Sequence, residues 1–169
     1  MKRLFLLAIF ALTGCSKSSS SVFDYQLPLK QFKIGEYLQV LDSQTLITVN
    51  RSEQQAGLVR IQLKTNELSI LDPTAKEARD IFLSNGKIAY RVDREIRLWN
   101  QNVLSLQTNA LRLRSFSSGE NDQRLTYDTI QKESRWVTLN QDGVVIADGS
   151  LPGSGRAFYR KGTTDYLVF

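Results

Sequence analysis

The feature that most constrains the fold is an alternation of apolar and polar residues with a period of two. It runs through segments 37–51, 57–71, 87–100, 124–139 and 143–150. Successive side chains of a β-strand point to opposite faces of its sheet, so this period predicts strands with one buried face. No stretch of ten or more residues repeats convincingly with the helical period. The sequence therefore predicts an all-β fold.

Turn-forming residues separate the alternating segments. The pairs are Asp42-Ser43, Asn85-Gly86, Asp142-Gly143 and Asp148-Gly149. Asp, Asn and Gly favour tight turns between strands, so each pair predicts a turn. Segment 72–80, DPTAKEARD, is compatible with a short helical turn, because Asp72 suits the N-cap and Pro73 the first helical position.

The strands are organised in a repeating unit. Each unit begins with a polar turn and continues into an alternating strand, and the units cover 42–63, 84–100, 121–143 and 161–169. Leu46, Ile88, Leu125 and Tyr166 occupy equivalent places and are spaced by 42, 37 and 41 residues. A period near 40 with several short strands per unit is typical of β-propeller blades.

The second unit carries the clearest family resemblance. Residues 83–100, LSNGKIAYRVDREIRLWN, resemble the repeats of periplasmic TolB-like β-propellers, and the similarity extends weakly over 37–169. The resemblance implies propeller-like repeats of antiparallel strands, in about three and a half units, where closed propellers usually need ~4–8 blades. We therefore expect an incomplete array, either a shortened form of a longer lipoprotein or one completed by a partner or a second copy. A β-sandwich or a small barrel is the alternative fold.

The N-terminus has the layout of a lipoprotein signal. Lys2 and Arg3 precede a short apolar run, and residues 12–15, LTGC, match the bacterial lipobox. The apolar run is shorter than the ~20 residues that span a bilayer. The resemblance implies that Cys15 is acylated after removal of the signal. Inner-membrane lipoproteins often carry Asp where this chain has Ser16, so the resemblance favours anchoring in the outer membrane.

This interpretation gives the domain organisation. Residues 1–14 are expected to be the signal peptide, 15–22 the lipidated cysteine with a Ser-rich tether, and 23–169 a β-rich periplasmic domain. The lipoprotein resemblance implies several acyl chains on Cys15, a palmitate among them, and several chains anchor stably where one chain is marginal. The tether is rich in small polar residues, which give a linker reach without a core.

Composition limits the chemistry of the domain. The chain has 22 basic and 17 acidic residues, and loss of Lys2 and Arg3 with the signal leaves 20 and 17, a net charge of +3. This mild charge does not favour nucleic-acid binding. Histidine is absent and Cys15 is the one cysteine, which removes Ser–His and Cys–His catalysis and imidazole metal sites. We expect a protein that is not an enzyme and holds no cofactor or metal.

The acidic residues are scattered rather than clustered. Most are expected at turns, where a short carboxylate side chain bonds the nearby backbone; they include Asp72, Asp80, Asp93, Asp122, Asp128, Asp142, Asp148 and Asp165. Their spacing does not require any two carboxylates to face one another across a cleft. Acidic hydrolytic chemistry is therefore not predicted.

Basic and aromatic residues are the candidate binding residues. They are Arg91, Arg94, Arg97, Arg112, Arg114, Trp99 and Trp136. The arginines can form a small basic surface for an anionic headgroup or an acidic partner, or a solvated strand face neutralised by neighbouring Asp93 and Glu95. The two tryptophans, like Tyr90 and Tyr127, fall near equivalent points of successive units and are expected in the core, unless exposure makes them binding anchors.

Together these features predict a membrane-anchored binding or scaffold lipoprotein that faces the periplasm and docks an envelope protein. The lipid on Cys15 is its expected membrane contact, and a second copy of the chain is a further expected partner. The alternative is a lipid- or glycan-binding carrier or sensor lipoprotein with a closed barrel or a sandwich.

Overall fold

A computed structural model of the chain describes residues 34–151, 157–161 and 164–168. These residues form fourteen β-strands and no helix. The first eight strands are β1 (Ile34–Asp42), β2 (Thr45–Asn50), β3 (Gly57–Gln62), β4 (Glu67–Asp72), β5 (Arg79–Ser84), β6 (Lys87–Val92), β7 (Glu95–Asn100) and β8 (Asn102–Gln107). The others are β9 (Ala110–Ser118), β10 (Asp122–Thr129), β11 (Ser134–Asn140), β12 (Val145–Leu151), β13 (Ala157–Lys161) and β14 (Thr164–Val168). The prediction of an all-β fold is confirmed.

The strands form consecutive antiparallel meanders. The first sheet is β1–β4, the second β5–β8 and the third β9–β12, each with its strands in chain order, and β13 pairs with β14. Such sheets need only short connections, because each strand hydrogen-bonds to the next one along the chain. None of the sheets in the described part of the chain closes into a barrel.

The repeat anticipated from the sequence corresponds to these sheets. Leu46, Ile88 and Leu125 lie in the second strand of the first, second and third sheets, and Tyr166 lies in the second strand of the β13–β14 pair. The repeating unit begins one strand earlier than predicted. β1, β5 and β9, which come before the predicted start of each unit, are the first strands of the three sheets.

The second sheet is buried on both faces. Towards the first sheet, Ile88 and Tyr90 pack with Ile47, Val49 and Leu58 in one apolar cluster. Every one of these side chains is at most 1% exposed. Burial of a large apolar side chain contributes roughly 1.5–3 kcal/mol, so this interface is a main source of stability.

The opposite face of the second sheet packs on the third sheet. Ala89, Ile96 and Leu98 form a second cluster with Leu113 and Leu125. Ala89 and Leu98 are cross-strand partners, as are Arg91 and Ile96, so these residues share one face of the sheet. Successive residues of β6 therefore enter the two clusters alternately. This explains why its sequence, KIAYRV, has apolar residues on both faces of the strand.

The opening strands of the sheets lie beside one another. β1 contacts β5, and β5 contacts β9. β13 in turn contacts β9 and β10. The sheets are therefore stacked face to face with their first strands on a common side.

Two local predictions are wrong. Residues 73–78 form successive turns rather than a helical turn, because β5 begins at Arg79; Asp72 nevertheless caps the first turn, its Oδ1 accepting the Thr74 N–H at 2.9 Å. Asp148-Gly149 lies within β12 instead of forming a turn. The Trp136 indole packs over Gly149, since an added Cβ would lie 2.7 Å from the Trp136 Nε1.

Two glycines with positive φ differ in how closely other backbone atoms approach them. Gly57 has a φ of +131°, and an added Cβ would lie 2.2 Å from the Asp72 carbonyl oxygen. Gly86 has a φ of +74° with open space around the added Cβ. We expect Gly57→Ala to lower the free energy of unfolding by more than ~2 kcal/mol, and Gly86→Ala by about 1 kcal/mol. Urea unfolding followed by circular dichroism measures both, and equal losses would contradict the close approach at Gly57.

Candidate functional site

A groove of about 700 Å³ opens at one end of the stacked sheets. Its walls come from the β4–β5, β6–β7, β8–β9 and β10–β11 connections and the strand ends beside them. The residues that give it chemical character are Glu77, Arg79, Arg91, Asp93, Arg94, Glu95, Arg97, Leu111 and Ile130. Because antiparallel meanders return every second connection to the same end, connections of two sheets meet here.

Hydrogen bonds join these connections into one surface. The Arg94 carbonyl, in the β6–β7 turn, accepts the Ala110 N–H at 2.9 Å and the Thr108 hydroxyl at 3.3 Å. The Asn109 carbonyl accepts the Ile130 N–H at 3.2 Å, which links the β8–β9 connection to the β10–β11 turn. The groove is thus held in shape before any ligand arrives, and this lowers the entropy cost of binding.

A buried carboxylate lies beneath one side of the groove. Asp72 is 3% exposed, and its Oδ2 accepts the Tyr90 hydroxyl at 2.8 Å and the Arg97 guanidinium at 2.9 Å. Its Oδ1 accepts the Thr74 hydroxyl at 2.7 Å. Arg97 also donates to Glu95 at 2.7 Å. This Asp72 network connects the first sheet to the second with its polar atoms satisfied.

The network shifts the titration of its members. Burial alone would raise the pKa of Asp72, but hydrogen bonds from Thr74, Tyr90 and Arg97 outweigh it and hold the pKa below its ordinary value of 3.8. Burial and the hydrogen bond to Asp72 raise the pKa of Tyr90 far above its ordinary range. Asp72 is therefore a carboxylate and Tyr90 a neutral donor at neutral pH, the states that their hydrogen bond needs.

A second carboxylate joins the second and third sheets. The Asp80 Oδ2 accepts the Arg91 Nε–H at 2.8 Å and the Leu113 N–H, from β9, at 3.1 Å. Asp80 has a φ of +50°, in the left-handed region. That conformation is uncommon outside glycine, and Asp tolerates it better than most residues. Asp80 thus ties three strands together next to the groove.

The arginines of the groove divide into paired and unpaired groups. Arg91 is held by Asp80, and Arg97 by Asp72 and Glu95. Arg79 and Arg94 are exposed, and neither forms an ion pair or side-chain hydrogen bond with any residue that the structure describes. The predicted basic surface is therefore smaller than the sequence suggests, since Arg91 and Arg97 are neutralised within the fold.

Exposed apolar side chains stand beside the unpaired arginines. Leu111 is 56% exposed and Ile130 is 41% exposed, and both line the groove. Leu111 follows Ala110 at the start of β9, where the Ala110 N–H is bonded to the Arg94 carbonyl. Ile130 lies in the β10–β11 connection, where its N–H is bonded to the Asn109 carbonyl. The groove therefore combines unpaired cationic groups with an apolar wall whose backbone is hydrogen-bonded to neighbouring connections.

The remaining predicted binding residues lie elsewhere. Arg112 pairs across the strands with Asp128, and the Arg114 guanidinium forms an ion pair with the Asp128 carboxylate. Trp99 packs against the cluster between the first and second sheets, as expected for a core residue. Trp136 lines a separate groove of about 420 Å³ on the third sheet. The structure brings Arg91, Arg94 and Arg97 together but not the other four.

The two tryptophans are not equivalent in the repeat. Trp99 pairs with Ile88, whereas Trp136 pairs with Thr126, the residue after Leu125. A displacement of one residue along a strand moves a side chain to the opposite face. Trp99 is therefore partly buried against the core between the first and second sheets, and Trp136 faces away from the second sheet.

Several site residues could not be found from the sequence. Asp72, Asp80 and Asp128 were expected at turns, but each holds an arginine in an ion pair. Arg79 falls in the segment interpreted as a helical turn. In the structure it is the first residue of β5, and its side chain lines the groove. No local signal marks these residues, because their partners lie 11 to 25 positions away.

The described residues offer no metal centre, since no group of three or more Asp, Glu, Cys or His among them is placed to hold an ion. The described part of the chain also contains no helix of the length and hydropathy that a membrane span requires.

Searches of protein-family profiles and of curated protein sequences find no match to this chain. The groove must therefore be interpreted from its own geometry.

The two equivalent tyrosines provide a matched test of the Asp72 network. Tyr90 donates to Asp72, whereas the Tyr127 hydroxyl has no hydrogen-bond partner among the described residues. We expect Tyr90→Phe to lower the free energy of unfolding by roughly 1.5–3 kcal/mol, because it removes a bond to a buried carboxylate. Tyr127→Phe should cost less than ~0.5 kcal/mol. Chemical denaturation measures both, and a Tyr127→Phe loss as large as that of Tyr90→Phe would refute the assignment.

Proposed function

We propose that this protein is a membrane-anchored periplasmic lipoprotein. It acts as a binding or scaffold protein that docks a protein partner in the cell envelope. The observation that carries the proposal is the groove, because hydrogen-bonded connections from two sheets form its walls. A preformed concave surface with exposed apolar and charged side chains suits recognition of another protein. The proposal includes no catalytic step.

The anchoring half of the proposal comes from the sequence. The lipobox resemblance at residues 12–15 supports a signal peptide over 1–14, lipidation of Cys15 and a Ser-rich tether ending at 22. All of these residues lie outside the described part of the chain. The tether would hold the sheets near the periplasmic face of the outer membrane while leaving the groove accessible.

We further propose that the sheets are propeller-like blades. Three features support this: each sheet is a four-stranded meander, neighbouring sheets pack face to face, and β1, β5 and β9 lie side by side. In a propeller the first strands of the blades surround a central axis. The β13–β14 pair, with β13 against β9 and β10, supports a further unit after the third.

The alternative function, a lipid or glycan carrier, would need a ligand cavity enclosed by a barrel or between two sheets. The described sheets are open, and apolar side chains fill both spaces between neighbouring sheets. We therefore favour docking at the groove over enclosure of a ligand.

Lipidation is tested by replacing the anchor. Cys15→Ala should abolish incorporation of labelled palmitate and release the protein from the membrane fraction, because no acyl chain can then attach. Ser18→Ala is the matched control in the same segment and should leave labelling unchanged. Equal labelling of Cys15→Ala and wild type would exclude Cys15 as the acylation site.

Docking is tested by photo-crosslinking in intact cells. A photoreactive phenylalanine analogue at Leu111, on the groove, should give a discrete adduct with another protein. The same analogue at Lys64, an exposed residue in the β3–β4 connection at the other end of the sheets, should not. Adducts of the same size and yield at both positions, or at neither, would contradict docking at the groove.

A further inference from the structure

The charged residues of the groove leave two arginines unpaired within the part of the chain that the structure describes. Arg91 is bound to the partly buried Asp80 and Arg97 to the buried Asp72, and Glu77 forms an ion pair with Arg51 at 3.4 Å. Of the other charged residues that line the groove, Glu95 is bound by Arg97, and Arg79, Arg94 and Asp93 have no ion pair within the described residues. Arg97 is shared by two carboxylates, Asp72 and Glu95, so the groove has no marked excess of positive charge. What it offers a ligand is the two guanidinium groups of Arg79 and Arg94, which are available to pair with carboxylates.

The apolar wall narrows the chemical class of that ligand. Leu111 and Ile130 belong to the large apolar side chains that the fold leaves exposed, and both lie on the groove that Arg79 and Arg94 line. A simple anion would use the arginines and leave these side chains in water. A peptide with an apolar side chain near its carboxylates would use both.

We propose that the groove binds an extended acidic segment of a protein partner. Carboxylates of the segment pair with Arg79 and Arg94, and an apolar side chain of the segment packs against Leu111 and Ile130. This assignment rests on the proposed docking function and adds the chemistry of the partner. Guanidinium groups suit the recognition, because their planar donors match carboxylates in bidentate geometry.

The composition of the groove favours a protein segment over an anionic membrane surface. Recognition of anionic lipids typically uses ~4–8 clustered Lys and Arg residues with few carboxylates among them. Here the two unpaired arginines stand beside carboxylates, Asp93 among them. Two unpaired arginines are fewer than a lipid-binding surface of this kind uses, whereas they suffice to pair with two carboxylates of a short segment.

The probe is a phage-displayed library of short random peptides, selected on the protein lacking its signal and lipid. We expect the enriched peptides to combine Asp or Glu with a large apolar residue. Binding of the best peptide should weaken about tenfold in the double variant R79E/R94E, because two attractive charge contacts become repulsive. R112E, which reverses an exposed arginine outside the groove, should change binding less than about twofold.

The apolar contact has its own variant. L111S should weaken the same peptide about tenfold, through lost burial of a large side chain, while V103S, at an exposed apolar position on β8, should not. Thermal melting of each variant confirms that it remains folded, as expected for side chains on the surface.

Three results would overturn the assignment. Enrichment of basic or neutral peptides would exclude an acidic ligand, and unchanged affinity in folded R79E/R94E would exclude these arginines. Binding to phosphatidylglycerol vesicles that R79E/R94E abolishes, with no acidic peptides enriched, would assign the groove to a membrane surface. The proposed docking function fails separately, through the absence of a crosslink at Leu111, so the two failures are distinguishable.

Discussion

The structure depends on a sheet that is buried on both of its faces. Most antiparallel sheets cover one face and leave the other in water, and their strands then alternate cleanly. β6 instead places Ile88 and Tyr90 in one apolar cluster and Ala89 in the other. This double burial holds the first and third sheets on either side of the second. The groove exists because connections of stacked sheets are brought together at one end, so its shape follows from the packing of the cores.

One buried and one partly buried carboxylate align the sheets, whereas apolar packing alone would let the sheets slide past one another. Apolar contacts are non-directional, whereas Asp72 accepts hydrogen bonds from Tyr90 and Arg97 in fixed directions. Asp80 has the same role between the second and third sheets, through Arg91 and the Leu113 N–H. Both carboxylates adjoin the groove, and both neutralise an arginine that the sequence offered for binding. The same charges that position the walls therefore decide which arginines remain available.

The sequence predicted the features that depend on residues close together in the chain, namely strands, turns and the spacing of the repeat. Alternation identified the all-β fold, the turn at Asn85-Gly86 has positive φ at both residues, and the spacing of Leu46, Ile88 and Leu125 matched the sheets. β8 was missed because its exposed face carries the apolar Val103, which blurs the alternation. The groove was only partly predictable: clustered arginines drew attention to it, but ion pairs between sheets depend on tertiary packing. The lipid anchor and the nature of the partner remain predictions.

The positions of the two tryptophans have a spectroscopic consequence. Trp99 packs at the interface of the first and second sheets, while Trp136 lies on the third sheet, on the face turned away from the second. Stacked repeats gain stability from contacts between neighbours, so their parts can separate in steps. Each indole therefore samples a different part of the stack, and intrinsic fluorescence of single-tryptophan forms distinguishes opening at one end from opening at the other. The protein carries its own pair of optical probes for how cooperatively its sheets hold together.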